Sequence, residues 1–209
     1  MASLFSSRRW FLSMTAGVLA ALPGTSRAGA HERPGGEAWN GSWPPELKAA
    51  TVRAMPEAVA CARTARWPFG AVLVDVGDGE VVAEAANSME DGDATAHAEM
   101  NLLRAAAAKG LRLPEHAVVS TAEPCPMCAG ALLWAGVPAV VFGTSNARLT
   151  ALGIPQIDVP FASIARHSTL GPRPATGGGV RTDLTDPLYR EMARRDRQRR
   201  QPRTRSAAW

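Results

Sequence analysis

The amino-acid sequence predicts an α/β fold in which a mixed β-sheet is covered by helices on both faces. Two apolar, β-branched segments joined by the turn sequence GDGE predict an antiparallel hairpin. Helical and strand patterns then alternate along the chain, an order that favours parallel strands joined through helices. With 209 residues, of which 46% are hydrophobic, the chain is long enough for one domain with a substantial core.

The first predicted helix covers residues 46–64, where Leu47 and several small apolar residues recur at spacings of three and four. Pro56 lies inside this helix and predicts a kink or an early end, because proline has no backbone N–H to donate. Residues 69–76 and 81–86 are the two strands of the hairpin. We expect residues 31–45, which are rich in glycine, proline and tryptophan, to be irregular.

The alternating part begins with a helix over residues 96–108, which Thr95 is placed to cap at its N-terminus. The glycine-rich segment 173–183 is predicted to be a mobile loop, and residues 186–195 to form a final helix that frays into an arginine-rich tail. The other predicted elements are a strand at 117–121, a helix at 126–135 with proline in its first turn, and strands at 139–142 and 154–159.

Charge is unevenly distributed along the chain, whose net charge is +4. Residues 31–189 carry 12 basic and 17 acidic side chains, so this part is acidic. Residues 190–209 carry eight arginines against Glu191 and Asp196. Such a tail is either a nucleic-acid-binding arm or, as charge runs usually are, a solvated terminal segment.

Residues 1–30 have the three parts of an export signal: Arg8 and Arg9, an apolar run at 11–22 too short to span a bilayer, and small residues at 28–30 that suit cleavage. The order Ser-Arg-Arg-Trp-Phe-Leu resembles a twin-arginine signal. The alternatives are a general secretory signal and a wrongly assigned start codon, the latter leaving the protein in the cytoplasm. We expect a periplasmic or otherwise exported protein without a membrane span after signal removal, since no later segment approaches about 20 apolar residues.

Two short segments carry the chemistry: TAHAE, with His97 and Glu99, and EPCPMC, with Cys125 and Cys128. Two cysteines separated by two residues at a helix N-terminus can both face one zinc ion, and the helix dipole favours their thiolates. His97 completes three ligands and leaves the fourth position open, as in catalytic zinc sites, where the pKa of a water falls towards neutrality. Glu99 is placed to carry protons without binding the metal.

The cysteine pair has two other interpretations. Without metal, Cys125 and Cys128 suit a thiol–disulfide oxidoreductase, which does not need Glu99. A non-catalytic zinc module needs a fourth protein ligand. The remaining cysteine, Cys61, lies on a different predicted element, where an apolar helical face indicates a buried, inert thiol. With only three cysteines, no disulfide framework is expected.

A His-x-Glu segment followed by Pro-Cys-x-x-Cys is the signature of zinc nucleobase deaminases. The segments PFGAVLVD, DATAHAE and EPCPMCAGALLWA, within residues 46–159, resemble the cytidine deaminase superfamily, nearest its guanine deaminase and tRNA adenosine deaminase branch. This resemblance implies a three-layer α/β/α sandwich with a central five-stranded mixed sheet, assembled as a homodimer. It also implies Zn²⁺ bound by His97, Cys125 and Cys128, with Glu99 as the proton shuttle.

We expect the deaminase domain to cover residues 46–189, and the resemblance implies roles beyond the metal ligands. Asn87 matches a substrate-binding asparagine, and the backbone of Ala98 and the ring of Phe69 line the pocket. Asn87 also has a plainer interpretation as a turn residue that closes the hairpin. Gln156 stands where guanine deaminases of this branch have an acidic residue that contacts the purine, which counts against guanine itself.

The expected activity is zinc-dependent hydrolytic deamination of a small molecule: a free nucleobase, a nucleoside or a related aminated heterocycle. A tRNA adenosine deaminase is the alternative among enzymes, and export argues against it because tRNA lies in another compartment. Of the remaining residues, we expect Trp134 to pack in the core and His116, in a loop, to be solvated.

Overall fold

The computed structural model describes residues 37–200, so the predicted export signal at 1–30 and the end of the arginine-rich tail lie outside the described residues. Export therefore stays a prediction. Within residues 37–200 the strands are β1 Ala38–Asn40, β2 Gly70–Asp75, β3 Val81–Ala86, β4 His116–Ala122, β5 Ala139–Thr144 and β6 Ala175–Gly178. The helices are α1 Pro45–Ala62, α2 Ala98–Ala108, α3 Pro126–Trp134, α4 Asn146–Ala151, α5 Phe161–His167 and α6 Thr182–Arg200.

The strands form one mixed sheet in the order β1-β6-β5-β4-β2-β3. The predicted hairpin is confirmed, because β2 pairs antiparallel with β3 on one side and with β4 on the other. Strands β4, β5 and β6 run parallel to one another, and β1 closes the opposite edge antiparallel to β6. The carboxyl ends of β4 and β5 therefore lie side by side, which is where ligands bind in open α/β sheets.

Helices cover both faces of the sheet, which confirms the three-layer α/β/α architecture. Successive side chains of a strand point to opposite faces. Accordingly Val72 and Val74 of β2 pack with α1 and α6, whereas Ala71 and Leu73 pack with α2, α3 and α5. The central strands are buried on both faces, and this explains why they read in the sequence as continuous apolar runs.

The sheet has six strands rather than the expected five, because two segments predicted as irregular pair with each other. Trp39 of β1 lies opposite Gly177 of β6. A Cβ atom on Gly177 would lie 2.5 Å from the Trp39 ring, and one on Gly178 would lie 2.8 Å from the Phe142 ring. The glycines that suggested a mobile loop instead leave room for aromatic rings to pack flat on the strand.

Residues 154–159 do not form a strand, so that prediction is wrong. Pro155 lies inside the segment and Pro160 directly follows it, and proline cannot donate to a sheet ladder. Ile157 is exposed between them. In place of that strand, the short helices α4 and α5 lie on either side of an irregular connection.

The first helix is more regular than the sequence predicts, because the kink or early end expected at Pro56 does not occur. Helix α1 continues through Pro56 without a break. Pro56 is on the exposed side of the helix, where water can satisfy the carbonyl group that loses its hydrogen-bond partner. Pro187 occupies a similarly exposed position in α6, so neither proline ends its helix.

Two side-chain predictions are also wrong. Trp134, expected in the core, is 77% exposed at the end of α3. His116, expected in solvent, is buried at the start of β4, where its Nδ1 donates to the carbonyl oxygen of Arg112 at 2.8 Å and its Nε2 lies 3.6 Å from an Asp75 carboxylate oxygen. No helix within residues 37–200 combines the length and apolar character needed to cross a membrane.

Candidate metal and catalytic site

The two chemical segments meet where helices α2 and α3 begin. His97 is the residue immediately before α2, and Cys125 is the residue immediately before α3, both with extended backbone. Cys128 lies in the first turn of α3. The positive ends of two helix dipoles therefore point at these side chains, which favours negatively charged sulfur.

Thr95 does not cap α2 as predicted. Its backbone N–H and its hydroxyl both donate to an Asp93 carboxylate oxygen, at 2.8 and 2.7 Å. Its carbonyl oxygen accepts the His97 N–H at 2.8 Å. Helix α2 thus starts after His97 rather than after Thr95 and has no side-chain cap. This later start leaves the His97 imidazole outside the helix and free to face the cysteines.

The three expected metal ligands form a compact triangle. Nδ1 of His97 lies 3.5 Å from Sγ of Cys125 and 3.6 Å from Sγ of Cys128, and all three atoms lie within 4.8 Å of one another. Tetrahedral zinc, with Zn–S of about 2.3 Å and Zn–N of about 2.0–2.1 Å, requires nitrogen–sulfur distances of about 3.6 Å. The donor set and both nitrogen–sulfur distances therefore fit zinc.

Hydrogen bonds within the triangle shift the pKa values of its members in different directions: the pKa of His97 is raised, chiefly by its hydrogen bond with Cys125. The pKa of Cys125 is lowered, mainly by a hydrogen bond from the Cys128 thiol and to a smaller extent by one from His97. The hydrogen bond with Cys125 raises the pKa of Cys128, and burial of the Cys128 thiol raises it further. Zinc would be held by the thiolates of Cys125 and Cys128 and by a neutral His97, so its binding would release protons from these side chains.

Glu99 lies two residues after His97 and is not one of the clustered ligands. Its side chain is buried, with 6% of the residue exposed, and one carboxylate oxygen accepts a 2.9 Å hydrogen bond from the Ser120 hydroxyl. Burial raises the pKa of Glu99, while its own backbone N–H and Ser120 oppose that shift. A buried carboxylate with a raised pKa beside a metal site is well suited to take up and release a proton.

Two of the residues expected to contact substrate, Asn87 and Phe69, lie together. The backbone N–H of Asn87 donates to the carbonyl oxygen of Phe69 at 2.9 Å, which joins the end of β3 to the start of β2. Asn87 is buried, and its Oδ1 accepts the Met89 N–H at 3.1 Å, so it also closes a turn. Ala98 is fully buried between His97 and Glu99.

Three residues near the site were missed by sequence reasoning. Ser120 holds Glu99, and Glu123 accepts two backbone hydrogen bonds beside the cysteine segment. Tyr189 of α6 is fully buried, lies 5.0 Å from Phe69 between ring centroids, and donates to Thr121 at 2.8 Å. Ser120 was recognisable, because strand alternation places it on the same face as Val118, against the helix that carries Glu99.

Comparisons with known proteins agree with this geometry. The family model described as the cytidine and deoxycytidylate deaminase zinc-binding region matches residues 46–144. A probable cytosine deaminase of Schizosaccharomyces pombe is 32% identical over 130 residues, covering 60% of this chain and 80% of that protein. The chain belongs to the cytidine deaminase superfamily.

Other relatives differ in their substrates. A guanine deaminase of Bacillus subtilis is 39% identical over 82 residues, covering 38% of this chain and 51% of that protein. A solved structure from a study of A-to-I editing by tRNA:A34 deaminases at the wobble position is 30% identical, with a TM-score of 0.54, and covers 65% of this chain and 98% of that one.

A tRNA(Ile)-lysidine synthase of Deinococcus radiodurans is 42% identical over 147 residues, which is 66% of this chain. The chain spans only about a quarter of that protein, 24% of its length.

Proposed function

We propose that the protein is a zinc-dependent hydrolytic deaminase of a free nucleobase, a nucleoside or a related aminated heterocycle. The observation that carries this proposal is the triangle of His97, Cys125 and Cys128 with zinc dimensions, beside the buried carboxylate of Glu99. Three protein ligands leave a fourth position for a reactant, as catalytic zinc sites do.

When bound, zinc activates a water molecule for attack on the carbon that carries the exocyclic amine. Glu99 accepts a proton from that water and delivers it to the adjacent ring nitrogen. Glu99 then passes the second water proton to the amine, which leaves as ammonia while the ring keeps the oxygen. Ser120 holds the carboxylate in place between these transfers, because its hydroxyl donates to Glu99 at 2.9 Å.

A free base is the preferred substrate. This preference is supported by the probable cytosine deaminase, which is named for a free base and 80% of whose length matches this chain. Gln156 is neutral and half-buried in the α4–α5 connection, so it supplies no carboxylate to pair with the amidine edge of guanine. Asn87, if its amide nitrogen is available to substrate, offers a donor to a carbonyl or ring nitrogen.

A tRNA adenosine deaminase is the second candidate, favoured by the 30% identical chain from the tRNA:A34 study. Within α6, however, many arginines are already paired: Arg194 and Arg195 with Glu191, and Arg200 with Asp196. The paired side chains reduce the charge that α6 offers to phosphates. The thiol–disulfide alternative is less favoured, because His97 and both cysteines converge in a metal-binding arrangement.

The deciding experiment is ammonia release by zinc-loaded protein against cytosine, guanine, adenine, their nucleosides, aminated pterins and triazines, and an unmodified tRNA. Glu99→Gln is the matched control, since it keeps the size of the side chain but cannot carry protons. Turnover of one compound that disappears in Glu99→Gln supports the proposal and identifies the substrate. Turnover by Glu99→Gln at the wild-type rate contradicts the assigned role of Glu99.

We also propose that the protein is a homodimer that pairs through α3 and α5. A cavity of about 550 Å³ lies between these helices, with Leu133, Val159 and Ile164 in its apolar part and Ser163, His167, Ser168 and Thr169 in its polar part. Trp134 and Leu170 line the same cavity and are both exposed. Contiguous exposed apolar surface of this kind is typical of protein interfaces.

Sedimentation velocity tests this assembly. Trp134→Glu should convert a wild-type dimer into a monomer, because it places a charge in the apolar face. Val76→Glu is the control, since Val76 is an exposed apolar residue that is absent from this cavity. A wild-type protein that sediments as a monomer at tens of micromolar would contradict the proposal.

A further inference from the structure

We propose that Glu123 is a positioning residue that preorganises the cysteine segment for zinc by joining it to the beginnings of α4 and α5. This inference rests on the zinc site proposed above. It assigns Glu123 no contact with metal or substrate: the carboxylate acts through the backbone that carries Cys125.

Glu123 makes three hydrogen bonds at the end of β4. One carboxylate oxygen accepts the Asn146 backbone N–H at 2.9 Å, and the other accepts the Phe161 backbone N–H at 2.9 Å. Its own backbone N–H donates to the carbonyl oxygen of Thr144 at 2.9 Å. The residue is only 8% exposed, so these bonds form in a water-poor environment where they are stronger and better defined.

These contacts connect three separate parts of the chain at one carboxylate. Asn146 is the first residue of α4, and Phe161 is the first residue of α5. The first N–H groups of a helix have no partner within the helix, so an external acceptor is required when they are buried. Phe161 is fully buried and packs in the same core cluster as Leu132 of α3, the helix that carries Cys128.

The geometry between Glu123 and the zinc ligands leaves little freedom. Only Pro124 separates Glu123 from Cys125, and Pro126 follows directly. Each proline fixes one φ angle, and a proline also restricts the residue before it. Once the Glu123 side chain is held by α4 and α5, few soft dihedral angles remain that could move Cys125 away from His97.

The consequence concerns metal affinity rather than stability alone. The nitrogen–sulfur distances already suit zinc, so metal binding does not need to order the cysteine segment. Without the Glu123 anchor, this ordering would occur on binding and its entropic cost would weaken zinc affinity. Residues that support metal ligands typically contribute about 10–100-fold in affinity.

The test is zinc competition against a chromogenic chelator, with the full chain first stripped of metal. Glu123→Gln keeps the volume and one acceptor oxygen, but its NH₂ group faces a backbone N–H and one hydrogen bond is lost. We expect zinc to bind about 10–100-fold more weakly and to dissociate faster. Glu57→Gln, at an exposed position on α1, is the matched control and should leave zinc affinity unchanged.

A second variant removes the same hydrogen bond from the other side and keeps the carboxylate. Asn146→Pro deletes the N–H that donates to Glu123, and proline suits the first position of a helix. The preceding Ser145 has extended backbone, with φ −71° and ψ 157°, which proline accepts. We expect weaker zinc binding again, and an effect in the double variant smaller than the product of the two single effects.

The outcomes separate this inference from the proposed function. A wild-type chain that binds no zinc overturns both. Wild-type binding with unchanged affinity in both variants, even with lower melting temperatures, makes Glu123 purely structural and overturns only this inference. Weakened zinc binding without turnover of any compound supports the role of Glu123 while contradicting the deaminase proposal.

Discussion

Ser120 and Glu99 meet across the packing interface of β4 and α2, where the serine hydroxyl donates a 2.9 Å hydrogen bond to the buried carboxylate. This bond is one of the few restraints on the group that is proposed to carry protons. Ser120 is itself only 2% exposed, so water does not readily take its place. The position of the proton carrier therefore depends on a strand residue 21 positions away.

Ser120→Ala should lower kcat by about 10- to 100-fold, because a hydrogen bond to a charged group contributes about 1.5–3 kcal/mol. Zinc content should remain at the wild-type level, since Ser120 does not belong to the ligand triangle. Steady-state ammonia release and metal analysis of the same preparation measure both quantities. A variant with wild-type kcat would show that Glu99 needs no donor from β4.

Removal of zinc should destabilise the protein. At free zinc about 1,000 times its dissociation constant, the metal adds about 4 kcal/mol to the free energy of unfolding. A chelator should therefore lower Tm by about 8–16 °C for a domain of this size, and added zinc should restore it. Differential scanning calorimetry before and after chelation measures the shift.

The three cysteines provide the matched variants for that experiment. Cys125→Ser and Cys128→Ser should lose both the bound zinc and the chelator-dependent shift in Tm. Cys61→Ala should keep both, because Cys61 lies on α1, outside the triangle, and burial raises the pKa of its thiol. A Cys61 variant that loses its zinc would mean that the ligand set has been wrongly assigned.

The metal site was predictable because its residues form two pairs that are each close together in sequence. His97 and Glu99 lie two residues apart, and Cys125 and Cys128 lie three apart, each pair at the start of a helix. Side chains at these spacings share one end of a helix whatever the rest of the chain does. The hairpin was predictable for the same reason, since its two strands are joined by five residues.

The elements that could not be predicted depend on distant partners. Helices α4 and α5 begin where their first N–H groups meet Glu123, 23 and 38 residues away in sequence. Strand β1 pairs with β6 from the opposite end of the chain, and β6 pairs on its other side with β5, more than 30 residues earlier in sequence. Nothing within six or seven residues of either segment indicates that partner.

The exposure of Trp134 could not be predicted from the sequence for a different reason. Helix α3 has the sequence PMCAGALLW, which is apolar on almost every side, so periodicity indicates no buried face. Leu132 of this helix is fully buried, whereas Trp134, two residues later, points outwards. Only the position of the sheet decides which side of such a helix is covered.

Asn87 allows its turn role and its substrate role to be separated. Asn87→Asp keeps the oxygen that accepts the Met89 N–H but replaces the amide nitrogen with a second oxygen. If Asn87 donates to substrate, kcat/KM should fall by more than about 10-fold while Tm changes by less than about 2 °C. Asn87→Ala, which removes both groups, should lower kcat/KM and Tm together. Unchanged kcat/KM in Asn87→Asp would leave only the turn role.

Gly70 should tolerate no side chain, because α1 and β2 approach each other closely there. A Cβ atom at this position would lie 2.4 Å from the Ala58 carbonyl oxygen and 2.5 Å from the Ala62 nitrogen, both backbone atoms that cannot rotate away. The Gly70 N–H also donates to the Thr121 hydroxyl at 3.0 Å, so any displacement of β2 disturbs the network that supports Phe69. Gly70→Ala should therefore destabilise the protein by about 3 kcal/mol, the upper range for overpacking, and lower Tm by about 6–12 °C.

Gly130→Ala is the matched control for Gly70→Ala, because it makes the same chemical change in helix α3, where a Cβ atom would meet no atom within 4 Å apart from its own stretch of helix. Both variants are compared in the Trp134→Glu background, because Gly130 lines the proposed dimer face. Alanine is favoured over glycine inside a helix by up to about 1 kcal/mol. Thermal unfolding should therefore show an unchanged or slightly higher Tm for Gly130→Ala. Equal losses in the two variants would contradict the close approach of α1 and β2, since the effect would then follow from the loss of glycine rather than from its surroundings.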